Sequence, residues 1–237
     1  MPSSTPLVAF VIGSGPNIGG SVASLLKEQG YAVAVGSRNP DVDKVKKEGY
    51  FPVQVEATQQ ASISAAFAAV NAALGPPNVV VYNPVIHREP TDVSDPSTLP
   101  LEAFKDVIAI GSNVFFAIQE ALKGFRSSKH EDTLKAFIVT GNALPADKAL
   151  SPFYFSLDIQ KIIESRIVGQ LAGANEKDGF VYATLVADDG GIPPYDLFLD
   201  IHAKVYWESI NRKEGPWDHR FTLDGKKLTK LTMNRGP

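Results

Sequence analysis

The feature that most constrains the fold is a regular alternation of two sequence patterns. Short, continuous apolar runs are typical of strands buried on both faces of a sheet, and they predict strands at residues 7–12, 31–35, 51–55, 79–82, 136–140, 180–186 and 220–223. Between them, apolar residues recur at helical spacing, which predicts helices at residues 17–29, 61–74, 101–125, 155–174 and 196–211. Such alternation is typical of a parallel sheet covered by helices. We therefore predict an α/β, doubly wound fold with about seven strands and helices on both faces.

Composition excludes several classes of protein. The 237 residues include 23 Lys and Arg and 26 Asp and Glu, a net charge of −3, which argues against nucleic acid and anionic membranes as partners. A hydrophobic content of 44% excludes disorder, and no linker or repeat divides the predicted single domain, residues 1–237. The absence of cysteine and the wide spacing of the four His residues predict no metal site. With no long apolar stretch and no signal-peptide pattern, we expect a cytoplasmic protein.

A glycine-rich turn follows the first predicted strand. It reads Gly13-Ser14-Gly15-Pro16-Asn17-Ile18-Gly19. Glycines here let the backbone approach a pyrophosphate, and the next helix presents its free N–H groups to that anion. A tight turn without a ligand is the alternative, but the position between a buried strand and a helix is the context that dinucleotide binding requires. The predicted diphosphate contacts are Gly13, Ser14, Gly15, Asn17 and Ile18.

The end of the second predicted strand indicates which dinucleotide is bound. It reads Gly36-Ser37-Arg38-Asn39. An acidic residue at this place binds the ribose hydroxyls of NAD(H), whereas an Arg suits the 2′-phosphate of NADP(H). Ser37 can add a hydroxyl donor. We predict that Ser37 and Arg38 select NADP(H), the alternative being that Arg38 is a solvated surface residue.

The chain resembles the short-chain dehydrogenase/reductase family over nearly its whole length. Besides the glycine turn, the resemblance rests on Glu56-Ala57-Thr58, Tyr82-Asn83-Pro84-Val85, Thr140-Gly141-Asn142, Ser156-Leu157-Asp158-Ile159-Gln160-Lys161, Asp189-Gly190-Gly191-Ile192 and Tyr206-Trp207. It implies a Rossmann-type fold and further cofactor contacts from Glu56, Ala57, Asn83, Pro84, Thr140, Lys161, Gly190 and Ile192. Asn17 replaces the middle glycine of the family turn, and Pro194 stands where the family has a Thr that contacts the diphosphate.

The resemblance also shows where the usual catalytic set is altered. In this family a Tyr and a Lys stand four residues apart on one helix face, with a Ser and an Asn nearby. The Lys holds the nicotinamide ribose and lowers the pKa of the Tyr, which protonates the carbonyl oxygen. Here Lys161 is present, but Leu157 stands at the Tyr position. Asn142 falls near the Ser position and Ile110 at the Asn position.

Two neighbouring residues are candidates for the missing acid. Tyr154 precedes Lys161 by about two helical turns and so falls roughly on the same face, although a packing role is the alternative. Asp158 could stabilise a cation or act as a base, the alternative being a solvated helix residue. An iminium ion already carries its positive charge and accepts hydride without a proton. A reductase without the Tyr is therefore suited to cationic C=N substrates.

These observations lead to one leading function and two alternatives. We predict an NADPH-dependent reductase that transfers hydride to a small or medium organic substrate, a carbonyl or an iminium, with Lys161, Asp158, Tyr154 and Asn142 at the catalytic site. One alternative is a cofactor-bound, non-redox cyclase of the Diels–Alderase kind in secondary metabolism. The other is an inactive NADP(H)-binding relative. The resemblance implies a homodimer or homotetramer, and His87 and Arg88 either line the substrate pocket or are solvated loop residues.

Overall fold

The computed structural model of the chain describes residues 7–146, 151–175, 178–191, 199–212 and 214–224. Its strands are β1 (Val8–Ile12), β2 (Ala32–Ser37), β3 (Phe51–Gln54), β4 (Val79–Tyr82), β5 (Ala136–Thr140), β6 (Phe180–Leu185) and β7 (Asp218–Phe221). They form one seven-stranded sheet in the order β3-β2-β1-β4-β5-β6-β7, and every neighbouring pair is parallel. The predicted parallel α/β sheet is confirmed.

Helices cover both faces of this sheet. They are α1 (Ile18–Glu28), α2 (Val42–Lys47), α3 (Gln60–Ala73), α4 (Leu101–Phe125), α5 (Phe155–Ala174) and α6 (Leu199–Asn211). On one face, Phe10 and Tyr82 pack in a buried cluster with α3, α4 and α5. On the other face, Val11 and Val81 pack in a second cluster with α1 and α6. Successive residues of a strand point to opposite faces, so both faces of each central strand are buried.

Helix α2 and strand β7 differ most from the sequence prediction. Helix α2 was not predicted, because none of its six residues is buried and its sequence VDKVKK therefore carries no apolar stripe. Asp41 starts it by accepting a hydrogen bond from the backbone N–H of Lys44 at 3.1 Å. Strand β7 begins two residues earlier than predicted, at Asp218. No helix in the described part of the chain is long and apolar enough to cross a membrane.

The strand order reverses between β1 and β4. From β1 the chain continues into α1 on one face, whereas α4, which follows β4, lies on the other face. Connections that diverge in this way leave a crevice outside the carboxyl ends of the two strands, where open α/β sheets bind their ligands. Ile12 and Tyr82, the last residues of β1 and β4, are paired at this point. The candidate site is therefore sought at this edge.

Candidate functional site

A cavity of about 600 Å³ opens at the reversal point. Its wall is formed by residues at or beyond the carboxyl ends of β1, β2, β3 and β4. The structure brings together around it most of the predicted cofactor contacts, namely Gly13, Gly15, Asn17, Ile18, Ser37, Arg38, Glu56, Ala57, Asn83 and Pro84. Ten predicted cofactor contacts from separate segments of the chain therefore line one crevice.

The glycine turn is shaped so tightly that side chains would not fit at two positions. Gly13 has a φ of +85°, and a Cβ there would lie 2.7 Å from the carbonyl carbon of Asn83. A Cβ at Gly19 would lie 2.5 Å from the carbonyl oxygen of Gly13. Asn83 also donates from Nδ2 to that carbonyl at 2.8 Å, which ties the turn to the end of β4.

The space beside this turn fits an anion. A Cβ at Gly15 would meet no atom within 4 Å, so the cavity is open at that point. Asn17 precedes α1, and its side chain makes no capping hydrogen bond to the helix. The N-terminus of α1 therefore presents backbone N–H groups and its positive dipole end toward the cavity without a side-chain acceptor. Ser14 lies behind the turn, where its Oγ donates to the carbonyl of Gly36 at 3.2 Å.

A cationic side chain lies at the far end of the crevice, where β2 and β3 end. Arg38 is exposed and lines both the main cavity and an adjoining hollow, which Ser37 and Glu56 also line. The Glu56 carboxylate accepts hydrogen bonds from the backbone N–H and the hydroxyl of Thr58, at 3.3 and 3.1 Å. The Glu56 carboxylate is therefore hydrogen-bonded to a residue two positions further along the chain. Arg38 stands at the end of β2, where a phosphate would be recognised.

Lys161 is buried in an ion pair. Its Nζ donates to Oε2 of Glu164 and to the carbonyl oxygen of Thr140, both at 2.8 Å. The two charged side chains are only 5% and 0% exposed, and neither lines the cavity. Burial raises the pKa of the Glu164 carboxyl, and the Lys161 ammonium and a hydrogen bond from Gln160 oppose that rise. The Lys161 ammonium is therefore held in the core beneath the end of β5.

Gln160 connects this pair to the wall of the cavity. Its Nε2 donates to Oε1 of Glu164 at 2.6 Å and to the carbonyl of Pro84 at 3.0 Å, and its Oε1 accepts from the N–H of Ile86 at 3.1 Å. The residue is fully buried. The segment after β4 is thus fixed to α5 through one side-chain amide.

The other predicted catalytic residues lie around the start of α5 and the end of β5. Tyr154 precedes α5 in a short 3₁₀ turn, and Asp158 is half-buried in the first turn of the helix. Asn142 follows β5 and accepts the N–H of Leu144 at its Oδ1, at 3.2 Å. Among the described residues that line the cavity, none of these three appears, and none is a tyrosine.

Two further predicted contacts, Thr140 and Gly190, are described by the structure and do not line the cavity. Thr140 is buried, and its Oγ1 accepts the hydroxyl of Tyr206 at 2.8 Å. Burial raises the pKa of Tyr206, so this hydroxyl keeps its proton and serves as a donor. Gly190 has a φ of +86° in the turn after β6 and donates to the carbonyl of Ala187 at 2.8 Å. Ile192 lies outside the described residues.

His87 lines the cavity, and the structure holds it more firmly than a solvated loop residue. Its Nε2 lies 2.9 Å from the carbonyl oxygen of Phe153, and its ring meets Phe153 edge-on with centroids 4.8 Å apart. Arg88 also lines the cavity, and its guanidinium lies 3.6 Å from Asp106. Both residues border the cavity, and Arg88 is also exposed to solvent.

Sequence reasoning missed the polar residues that support this site. Neither Gln160 nor Glu164 is among the predicted site residues, yet both are fully buried. The signal was present, since Glu164 follows Gln160 by four residues and Lys161 by three, the spacings at which side chains meet on one helix face. Buried charges are rarely tolerated without a partner, and the i, i+3 spacing of Lys161 and Glu164 offered that partner.

Comparison with known proteins agrees with this fold and crevice. A family model described as short chain dehydrogenase matches residues 7–132. The short chain dehydrogenase/reductase dmxR12 of Cryptosporiopsis sp. (strain 8999) is 30% identical over 235 residues, covering 92% of each chain.

Two solved structures share the fold. One is an alcohol dehydrogenase from the archaeon Thermococcus sibiricus complexed with 5-hydroxy-NADP, which has 20% identity and a TM-score of 0.71 and covers 91% of this chain and 95% of its own. The other is a metagenomic short-chain oxidoreductase in complex with NADP, which has 16% identity and a TM-score of 0.72 and covers 93% and 99%. On the family model and the sequence relative, the chain belongs to the short-chain dehydrogenase/reductase family.

Proposed function

We propose that the protein binds NADP(H) and transfers hydride to the C=O or C=N group of a small or medium organic molecule. The observation that carries this proposal is the single crevice that joins the glycine turn at the end of β1 to Arg38 at the end of β2. An anion-accepting turn and a separate exposed cation in one cavity match the two kinds of phosphate in NADP(H).

Each part of the crevice has a proposed role in holding the cofactor. The glycine turn and the N-terminus of α1 would bind the diphosphate, Ser37 and Arg38 the 2′-phosphate, and Glu56 with Ala57 the adenine. Asn83 and Pro84 would border the nicotinamide half. NADPH, when bound, supplies a hydride. We do not assign the nicotinamide ribose to Lys161, because its ammonium already has two acceptors in the core.

The altered catalytic set bears on the substrate. The usual proton relay needs a Tyr hydroxyl and a Lys ammonium beside it. Here Leu157 stands at the Tyr position, and the Lys161 ammonium is paired with Glu164. A cationic C=N substrate needs no proton when it accepts hydride, and the Asp158 carboxylate lies one residue from Leu157 as a candidate partner for such a cation. A carbonyl substrate requires a proton donor elsewhere in the cavity.

The Lys161–Glu164 pair favours a second candidate function. A relative that binds NADP(H) and turns nothing over, acting as a nucleotide-dependent partner protein, would need the phosphate contacts but no exposed lysine. Turnover of any substrate with NADPH excludes this role.

A homo-oligomer is part of the proposal. Membership of a family whose members are often oligomeric supports it, and α4 and α5 expose large apolar side chains, Phe115 at 44% and Ile162 at 38%. We propose that α4 and α5 form the contact between copies of the chain. Sedimentation of the purified protein tests this directly, and a monomer at all concentrations would contradict it.

The experiment that tests the cofactor is a binding titration of NADPH and NADH against wild type and Arg38→Ala. A charge-assisted contact to a phosphate contributes about 1.5–3 kcal/mol, so the variant is expected to bind NADPH roughly ten- to a hundredfold more weakly while NADH binding barely changes. Arg88→Ala is the matched control, because Arg88 lines the same cavity at its other end. Equal loss for both nucleotides, or no binding by wild type, would refute the proposal.

A further inference from the structure

We propose that His87 donates the proton that the usual Tyr would supply, so that the protein can reduce carbonyl substrates as well as iminium ions. This inference rests on the proposed function. Three features of His87 support it: the position of the imidazole in the cavity, the hydrogen bond of one ring nitrogen and the hydrogen bonds that hold the neighbouring backbone.

His87 is suited to proton transfer by its position in the crevice. The titratable side chains among the described lining residues are Arg38, Glu56, His87 and Arg88. Arg38 and Glu56 follow β2 and β3, on the adenosine side of the reversal, whereas His87 and Arg88 follow β4 on the other side. An arginine does not release its proton in proteins, so the imidazole is the group on that side able to give and take one.

The contacts of the ring determine which nitrogen exchanges the proton. Nε2 lies 2.9 Å from the carbonyl oxygen of Phe153, and a carbonyl can only accept, so Nε2 carries a hydrogen. Nδ1 is then the nitrogen that gains and loses the proton. The ring is packed edge-on against Phe153 and lies 6.0 Å from the ring of Tyr154, which limits its rotation.

The backbone on both sides of His87 is fixed to α5. The N–H of Ile86 donates to Gln160 at 3.1 Å, and the N–H of Arg88 donates to Oγ of Ser156 at 2.9 Å. Both acceptors are side chains that are fully buried. A reacting group is useful only when its support is rigid, and here two helix side chains supply that support to a loop residue.

Reduction of a carbonyl at this site would combine a hydride from NADPH with a proton from His87. Hydride from the nicotinamide adds to the carbonyl carbon, the C=O π electrons move to oxygen, and that oxygen takes the proton from Nδ1 of the imidazolium. The carbonyl is reduced to an alcohol and NADPH is oxidised to NADP⁺. His87 is left as the neutral tautomer with its hydrogen on Nε2, still donating to Phe153. Because the residue is half-buried, water can return a proton to Nδ1.

The test compares two bicyclic probes of similar size in the full-length protein. Tetralone is a ketone and needs a proton, whereas an N-methylated dihydroisoquinolinium ion carries a fixed positive charge and needs none. We expect His87→Gln to lower kcat for tetralone roughly a hundredfold or more, since general acid catalysis contributes about 10²–10⁴-fold. Turnover of the iminium ion and the Kd for NADPH should stay within about twofold of wild type.

Two controls make the comparison specific. The Gln side chain can still donate an amide hydrogen to the Phe153 carbonyl, so His87→Gln removes proton exchange without leaving that acceptor unpaired. Lys46→Gln removes a cation from an exposed position on α2 that does not line the cavity, and it should leave the ratio of tetralone to iminium turnover unchanged. A second readout needs no turnover: side-chain nitrogen NMR should show neutral His87 with its hydrogen on Nε2, identified by the signal that disappears in His87→Gln.

Each result has a stated consequence. A His87→Gln variant that reduces both probes like wild type, or loses both equally, overturns the role of His87, and so does a neutral ring with its hydrogen on Nδ1. Wild type that reduces the iminium ion but never tetralone also overturns it, while the proposed function stands. Wild type that binds no NADPH overturns both proposals.

Discussion

Replacing Lys161 with methionine is expected to destabilise the protein strongly and to leave its affinity for NADPH nearly unchanged. Nζ of Lys161 lies 2.8 Å from Oε2 of Glu164, and the two side chains are 5% and 0% exposed. Removing the ammonium leaves a buried carboxylate whose remaining partner is Gln160. Breaking a buried pair from one side costs about 3–5 kcal/mol, a large part of the roughly 5–15 kcal/mol that holds a domain together.

The double variant Lys161→Met/Glu164→Leu distinguishes the interaction between the two charges from the cost of removing either one. With both charges gone, Gln160 keeps the carbonyl of Pro84 as an acceptor at 3.0 Å, and no buried charge remains. Such replacements by apolar residues are often neutral or stabilising, so we expect the double variant to lie within about 2 kcal/mol of wild type. Glu164→Leu leaves the Lys161 ammonium buried and should also cost about 3–5 kcal/mol, so the coupling free energy between the two positions should be at least about 4 kcal/mol.

Urea denaturation of the four proteins in the cycle measures these free energies, and NADPH titration of each folded protein measures the second half of the prediction. The argument fails if Lys161→Met unfolds like wild type but loses NADPH affinity tenfold or more. That result would mean that the lysine leaves Glu164 and reaches the cofactor, as the family resemblance implied.

The remaining predictions use the same pair. In Lys161→Met the opposing ammonium is gone, so the pKa of Glu164, already raised by burial, should rise further above its unfolded value. The stability of this variant should then be highest below the ordinary glutamate pKa and fall as pH rises through the folded pKa, which denaturation at about pH 5 and pH 8 checks; a flat profile would contradict it. Leu157→Tyr should not raise turnover of tetralone more than about twofold, because the lysine that would lower the pKa of the new phenol is already matched by Glu164; a larger gain would show that Lys161 is available.

The strands and long helices could be predicted because their signals are local. Burial alone explains the apolar runs of β1 and β4 and the periodic apolar residues of α4. The observed bounds of α4 and α5 coincide with the predicted ranges. The glycine turn is equally readable, since Gly13 and Gly19 occupy places where a Cβ would meet backbone atoms. Helix α2 escaped because an exposed helix has no such pattern.

The catalytic side of the crevice could not be predicted in the same way. The spacing of Leu157 and Lys161 shows which residue types stand at the usual positions, but it does not show where a flexible lysine chain ends. That depends on competition between the cavity and the core. A carboxylate one turn further along α5 and the Thr140 carbonyl offer the ammonium two acceptors at 2.8 Å, and the sequence alone gives no measure of that geometry.

The two halves of the crevice therefore follow different physical rules. The half that contains the glycine turn and Arg38 depends on backbone shape and on an exposed charge. Both can be predicted from the residue types at the ends of β1 and β2. The other half depends on a buried polar network in which Glu164 orients Gln160, and Gln160 in turn holds the segment that carries His87. Because Lys161 is held in the core, another residue of the cavity can act as proton donor only if its backbone is held rigidly. In this chain the network that holds Lys161 in the core also fixes the backbone beside His87, so the proposed proton donor and the burial of the lysine have a common structural cause.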